Sequence, residues 1–310
     1  MSSYMDGFLV IDKPGGITSA EVIRVIKRGV RPKKIGYLGT LDPIATGVLV
    51  VAMGRATKLI LFMEKQDKEY DALLTLGAET NTQDSEGEIV NQADPSQITE
   101  EQVKASMAKF VGEIDQVPPM FSAKKQQGQR LYTLARQGIT VERPPVRVTI
   151  RSIDFIEKNG PVVRLTATVS TGAYLRTICH DIGNDLGVYG HLSGLVRLRS
   201  GIFRVQDAIA LDSVTSENMD EVRKNLISLA DGLGHLPMAK VIPHATEKLK
   251  DGIPLGVSDV IEFEGDAESE YVRIVSRDRE LIGVGNLDGP PMAGFPFTLI
   301  KPKRVMANEK

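Results

Sequence analysis

The sequence of 310 residues contains a single cysteine, Cys179, and its apolar segments are short. One cysteine excludes an intrachain disulfide and is typical of proteins from a reducing compartment. No apolar run approaches the roughly 20 residues that a membrane-spanning helix needs, so we expect no membrane contact. The first residues include no basic region followed by an apolar core, so we expect no secretory signal and a cytoplasmic location.

Recognisable metal and nucleotide sites are missing too. The four histidines do not have the spacing of metal ligands, and there is no cysteine cluster, so we expect no metal site. The chain also lacks the glycine-rich fingerprints of dinucleotide-binding and P-loop proteins.

Charge is balanced overall but unevenly distributed. The formal net charge of −2 gives no reason to expect a nucleic-acid partner. Basic residues nevertheless dominate segments 21–34 and 116–151, each opposed by a single glutamate, while acids concentrate at 79–101 and 259–280. Two basic segments on a weakly acidic chain suggest one polyanion-binding surface. The alternative for either segment alone is a solvated basic face without a partner.

The most informative stretch is residues 36–47, where three glycines and a proline precede the apolar run 48–53. These residues exclude a regular helix or strand and predict a shaped loop anchored by a buried strand. The residue before a proline is pushed toward extended geometry, so Asp42 should lie in a turn, where loops often hold catalytic groups. Taken alone, an Asp-Pro pair is a turn former without chemistry.

Four separated motifs, in order, resemble those of the TruB family of tRNA pseudouridine synthases. They are IDKPGGITS (11–19), GTLDPIATGVL (39–49), STGAYLRTI (170–178) and HLSGLVRLRSG (191–201). The resemblance covers about residues 7–205. It implies that Asp42 is catalytic and that the protein isomerises uridine 55 in the T-loop of tRNA to pseudouridine. Such a reaction involves no redox change or group donor, so the resemblance implies no cofactor.

The same resemblance assigns roles to other residues. Tyr70 would lie against the target base and could act as general acid or base, with Tyr174 as a second stacking ring. Arg176 would pair with Asp42 and keep the pKa of that carboxylate low. Leu195 would be an apolar contact to base or sugar. Without the resemblance, a strand tyrosine, a surface arginine and a core leucine are equally good interpretations.

Further residues are expected to contact RNA. Lys13, which follows a predicted strand, is assigned to a phosphate contact, although a solvated turn lysine is the simpler interpretation. An excursion at about 116–145 would clamp the RNA through three basic side chains, those of Lys124, Lys125 and Arg130. The family usually has histidine where this chain has Tyr37. A tyrosine can stack and donate a hydrogen bond but cannot become cationic, so Tyr37 is expected to assist binding differently.

The predicted fold class is α+β, a pseudouridine-synthase fold with a mixed, mainly antiparallel sheet flanked by helices. We expect the catalytic domain at 1–237. Short strand-like pieces punctuated by Gly and Pro predict a small C-terminal β-barrel at 238–310, which the resemblance identifies as a PUA-like RNA-binding domain. We expect a monomer that binds the tRNA T-stem-loop and requires no protein partner.

Two questions stay open at this point. The sequence does not decide whether Asp42 attacks the sugar or base or instead removes a ribose proton. Rival functions are a non-catalytic RNA-binding or tRNA-folding protein on the same scaffold, and an isomerase that acts on ribosomal RNA. The complete set of Asp42, Tyr70 and Arg176 argues against the non-catalytic alternative.

Overall fold

The computed structural model describes residues 5–122, 124–126 and 128–306. The strands of these ranges are β1 (Gly7–Lys13), β2 (Ile35–Leu38), β3 (Thr46–Met53), β4 (Lys68–Leu76), β5 (Ala78–Thr80), β6 (Ile89–Gln92), β7 (Gly112–Gln116), β8 (Lys125–Gln126), β9 (Gln129–Arg130), β10 (Val146–Asn159), β11 (Val162–Val169), β12 (Gly190–Ser200), β13 (Phe203–Arg204), β14 (Ile209–Ala210), β15 (Met238–Val241), β16 (Leu255–Gly256), β17 (Val260–Glu264), β18 (Val272–Val275), β19 (Leu281–Asp288) and β20 (Leu299–Val305).

The same ranges contain fewer residues in helices than in strands. The α-helices are α1 (Ser19–Val30), α2 (Glu100–Ala108), α3 (Leu131–Arg136), α4 (Leu175–Asp185), α5 (Met219–Lys224), α6 (Leu229–Gly232) and α7 (Ala245–Lys250). Short 3-10 helices lie at Gly54–Lys58, Ile60–Phe62, Val205–Asp207, Leu211–Ser213 and Val257–Asp259. None of the described helices is long and apolar enough to cross a membrane.

The larger sheet has the strand order β14-β1-β3-β12-β4-β11-β10-β7, with β2 added beside β3 and β13 beside β12. Two pairs, β1 with β14 and β3 with β12, run parallel, and the others described run antiparallel. The sheet is therefore mixed and mainly antiparallel, as predicted. Side chains of β4 alternate between buried and half-buried positions, which is what a strand with one face on the core requires.

Helices α1, α2 and α4 cover one face of this sheet. Helix α1 begins at Thr18, whose side chain and that of Glu21 form a reciprocal capping box, and its Val22 and Ile26 are fully buried. Their spacing of four residues puts both side chains on one face of the helix. This helix connects the first strand to the loop before β3, so it helps to position that loop.

The second sheet begins at Met238 and has the order β16-β20-β19-β18-β15-β17. One of its faces encloses a small core, and another set of its residues packs against the larger sheet. Phe8 and Val50 of the larger sheet lie in one apolar cluster with Met238 and Val284 of the second sheet. The α+β class and the small β-rich C-terminal unit are thus confirmed, whereas the domain boundary at 237/238 stays a prediction.

Candidate active site

Asp42 lies in a loop that joins β2 to β3, as the sequence predicted. The Asp42 carbonyl accepts a hydrogen bond from the Ala45 amide at 3.1 Å, which closes a turn. Gly47 follows with φ of +88°, and a Cβ there would lie 2.4 Å from the Arg197 carbonyl oxygen. Only glycine suits a left-handed backbone at such a close approach, so the return into β3 requires it.

Two buried polar side chains fasten this loop. Lys13 is fully buried, and its ammonium donates to the carbonyls of Pro14 at 2.9 Å, Pro43 at 3.3 Å and Ala45 at 2.7 Å. Ser19 Oγ accepts from the Leu41 amide at 2.9 Å and donates to the Leu41 carbonyl at 3.1 Å.

These contacts correct the prediction for Lys13. An ammonium enclosed by three carbonyl oxygens has no hydrogen left for a phosphate, because it has only three to donate. Burial lowers the pKa of Lys13 from 10.5 to about 8. The prediction failed because the sequence did not reveal that the turn after β1 folds under the loop of Asp42.

Arg176, at the start of α4, is brought to Asp42 as expected. Its side chain is 4% exposed, and its Nε lies 3.0 Å from Asp42 Oδ2. The contact is an ion pair, because the Nε hydrogen is not aligned for a hydrogen bond. Nη1 and Nη2 donate to the carbonyls of Thr82 at 3.0 Å and Phe121 at 2.7 Å. Nη1 also lies 3.5 Å from the buried carboxylate of Asp84.

The charge balance of the pair differs from the expected one. Burial raises the pKa of Asp42, while the adjacent Arg176 guanidinium opposes this shift and Asp84 adds to it. Arg176 shares its charge between two carboxylates, so its effect on Asp42 is weaker than that of a dedicated partner. The expected low pKa is therefore wrong in direction, and desolvation is the reason.

The cavity beside Asp42 has a volume of about 270 Å³ and includes Tyr70, Tyr174 and Leu195 in its wall. Tyr70 and Leu195 come from the adjacent strands β4 and β12 and are 8% and 9% exposed. Tyr174 precedes α4, where its amide donates to Gln116 Oε1 at 2.8 Å. Burial raises the pKa of the Tyr174 hydroxyl. Aromatic and apolar walls around one carboxylate suit a planar base.

Cations that the sequence did not single out border the same cavity. Arg197 is 1% exposed and donates to the carbonyls of Val48 at 2.7 Å and Gly39 at 3.0 Å. Within the described part of the chain, no carboxylate lies within ion-pair distance of it. Lys68 donates to the Gln66 carbonyl at 2.7 Å and to Thr171 Oγ1. Burial and the Arg197 charge lower the pKa of Lys68 to about 8.

Other predicted residues lie outside the cavity. Tyr37 is half-buried in β2, where it packs against the main core and is not part of the cavity wall. Lys124 is half-buried at the edge of the 116–145 segment. The side chains of Lys125 and Arg130 lie outside the described part of the chain. Their assignment to RNA contacts stays a prediction.

Asp84 is the main site residue that sequence reasoning missed. It is 4% exposed and sits in the turn after β5, where Thr82 Oγ1 donates to it at 2.6 Å and the Glu86 amide at 3.1 Å. A Thr-x-Asp pattern in a polar loop was the available signal, but such turns are common. In the described ranges, no group of three or more histidine, cysteine or carboxylate residues could hold a metal ion.

Two family models match adjacent parts of the chain. Residues 27–175 match the N-terminal domain of TruB family pseudouridylate synthases, and residues 176–231 match a tRNA pseudouridylate synthase B C-terminal domain. A tRNA pseudouridine synthase B of Syntrophotalea carbinolica is 43% identical over 84% of this chain and 86% of its own length. One from Clostridium kluyveri is 38% identical over 96% of this chain and 99% of its own.

Solved structures share the fold. A Cbf5–Nop10–Gar1 complex contains a chain with 27% identity and a TM-score of 0.76, over 97% of this chain and 85% of that one. An H/ACA RNP bound to a substrate RNA containing 2'-deoxyuridine gives 25% identity and a TM-score of 0.75, over 97% and 85%. The buried ion pair beside an aromatic cavity, the family models and the relatives agree: the chain belongs to the TruB family of pseudouridylate synthases.

Proposed function

We infer that this protein is a tRNA pseudouridine synthase that isomerises uridine 55 in the T-loop. The observation that carries this inference is the Asp42 carboxylate, held on a fastened loop 3.0 Å from the buried Arg176 and facing a cavity with two tyrosines. The relatives that carry the name tRNA pseudouridine synthase B support tRNA rather than ribosomal RNA as substrate.

The cavity explains how a base could reach Asp42. A uridine stacked within an RNA loop is inaccessible, so it has to leave the stack and enter the 270 Å³ space. Tyr70 and Tyr174 offer ring faces or edges for the extruded base, in place of the lost stacking. Leu195 contributes an apolar part of the wall.

The chemistry then requires one bond exchange without cofactor. The bond between ribose C1' and uracil N1 breaks, the base turns, and C1' bonds to C5, after which the C5 proton leaves and N1 takes up a proton. We propose that ionised Asp42 initiates this exchange, either by attack on the sugar or base or by removal of a ribose proton. Arg176 holds the carboxylate in place, and the Tyr70 hydroxyl, in the wall of the same cavity, is our candidate to take part in removal of the C5 proton.

The rest of the chain has supporting roles in this proposal. Residues 1–237 form the catalytic domain, the 116–145 segment clamps the RNA through Lys124, Lys125 and Arg130, and residues 238–310 form a PUA-like RNA-binding domain. We propose a cytoplasmic monomer without a required protein partner.

Single-turnover conversion of an unmodified tRNA transcript tests the function. The purified protein should convert uridine 55 and leave a transcript with cytidine 55 unmodified, as mapped by chemical probing and mass spectrometry. An isolated T-stem-loop should also be a substrate. Tight binding without conversion would favour an RNA-folding role, and conversion only in ribosomal RNA would contradict the tRNA assignment.

A further inference from the structure

Helix α1 carries a stripe of basic residues that the cavity chemistry does not use. Arg24, Lys27, Arg28 and Arg31 are spaced at i, i+3, i+4 and i+7, and all four are exposed. This spacing places Arg24, Lys27 and Arg28 on one face of the helix, and Arg31 follows as its C-cap residue with φ of +51°. The buried residues Val22 and Ile26 mark the face toward the core. We call these four residues the α1 stripe.

Few acids neutralise the α1 stripe. Arg24 lies 4.0 Å from Glu21, at the limit of an ion pair, and its side chain is 66% exposed. In the ranges that the structure describes, no carboxylate lies within that distance of Lys27, Arg28 or Arg31. Cations in the last helical turn also interact favourably with the helix dipole, which is a sufficient reason for Lys27 and Arg28 alone. It does not explain Arg24, about one turn earlier.

The position of α1 connects the stripe to the reaction site. The first residue of the helix, Ser19, is hydrogen-bonded to Leu41, next to Asp42. At 1.5 Å per residue, the helical part of the stripe begins about 8 Å and ends about 14 Å along the helix from that contact. The exposed stripe is therefore within about 20 Å of the loop that holds Asp42.

We propose that the α1 stripe binds backbone phosphates of the tRNA outside the T-stem-loop. This inference rests on the proposed function, because the cavity and the 116–145 segment already accommodate the hairpin that contains the target uridine. Three like charges on one exposed helix face, with a fourth at its C-cap, suit a row of phosphates, whose recognition needs charge rather than a closed pocket. RNA is favoured over an acidic protein because the substrate of the neighbouring site is itself a polyanion.

The test compares two RNAs and three variants. Arg24→Gln/Arg28→Gln removes two charges of the stripe, and Arg24→Lys/Arg28→Lys keeps them. The matched control, Lys104→Gln/Lys158→Gln, removes two cations from α2 and the end of β10. Dissociation constants and kcat/KM are measured across a salt series with full-length tRNA and with the isolated T-stem-loop, and thermal melting verifies folding.

For Arg24→Gln/Arg28→Gln, we expect affinity for full-length tRNA to fall roughly tenfold at 0.1 M salt, with the log–log salt slope flatter by about one to two units. Affinity for the T-stem-loop should change by less than about twofold. The lysine variant and the control should retain wild-type affinity for both RNAs.

Equal losses with both RNAs would overturn the proposal, because the stripe would then contact the hairpin itself. Unchanged binding of full-length tRNA would overturn it too and would leave a solvated face or a site for an acidic protein. If the wild type converts neither RNA, the proposed function fails instead, and that result is distinguishable because it does not depend on the variants.

Discussion

The loop of Asp42 and the 116–145 segment both reach the candidate active site, but they are attached differently. The loop accepts hydrogen bonds from the buried side chains of Lys13, Ser19 and Arg197. The segment includes the exposed apolar side chains of Val117 and Ile139. Arg176 contacts it by donating a hydrogen bond to the Phe121 carbonyl. A group that performs chemistry needs a fixed position, whereas a clamp around RNA needs accessible charge.

Substitution of Asp42, in the loop held by Lys13 and Ser19, should give the largest loss of activity. Asp42→Asn keeps the shape of the side chain but removes the ionised carboxylate, so single-turnover conversion should fall at least about 1,000-fold, or about 4 kcal/mol in the barrier. Affinity for tRNA should stay within about threefold. A rate within about tenfold of wild type would show that the fastened loop does not hold the catalytic group.

Substitutions of Arg176 test the buried charge that contacts both the Asp42 loop and the 116–145 segment. Arg176→Ala leaves the buried carboxylate of Asp84 unpaired, at a cost of roughly 3–5 kcal/mol in the free energy of unfolding. Because the guanidinium opposes the effect of burial on the pKa of Asp42, its loss should raise that pKa further. The acid limb of the pH–rate profile should then move to higher pH.

The control for Arg176 is Arg164→Ala, which removes an exposed ion pair with Asp71. It should cost at most about 1 kcal/mol in chemical denaturation. Arg176→Lys should rescue poorly, because an ammonium cannot reach four partners at once. An unmoved acid limb with full activity in Arg176→Lys would contradict the role of the ion pair.

Lys13 tests how far the loop depends on its anchor. Lys13→Met should reduce the conversion rate about 10- to 100-fold through displacement of Asp42. Since the pKa of Lys13 is about 8 in the folded protein and 10.5 ordinarily, the unfolded chain binds more protons between these values. The free energy of unfolding of wild type relative to Lys13→Met should therefore rise with pH across this window. A pH-independent difference would mean that Lys13 titrates normally.

Substitutions in the 116–145 segment should change the salt dependence of tRNA affinity rather than the rate of the chemical step. Lys124→Gln/Lys125→Gln should flatten the log–log salt dependence of tRNA affinity by about one to two units, with little change in the single-turnover rate at saturation. Lys104→Gln/Lys158→Gln serves as the control here as well. An unchanged slope would indicate that these side chains are solvated and do not grip RNA.

Tyr37 should give the smallest effect. It packs half-buried against the core outside the cavity wall, so Tyr37→Phe should change affinity and rate by less than about twofold. Tyr37→His, the usual residue of the family, should also be tolerated. Loss of single-turnover conversion in Tyr37→His would mean that the loop of this chain captures the base differently from its relatives.

The sequence by itself determined the features that depend on local residues. Glycines and a proline indicated the Asp42 loop, and the apolar run 48–53 indicated the buried strand that anchors it. The motifs also predicted the family and the meeting of Asp42 with Arg176. Each of these signals involves backbone preferences or a recurring string, which neighbouring residues suffice to specify.

The tertiary structure alone decided how the charges are shared. The Lys13 ammonium points inward to three carbonyl oxygens, and the Arg176 guanidinium contacts both Asp42 and Asp84. Arg197 is buried beside Gly39 without a carboxylate partner in the described ranges. These contacts join segments that are distant in sequence, and burial then changes the pKa values of the groups that meet. Desolvation depends on everything that packs around a side chain, so no local pattern could have predicted it.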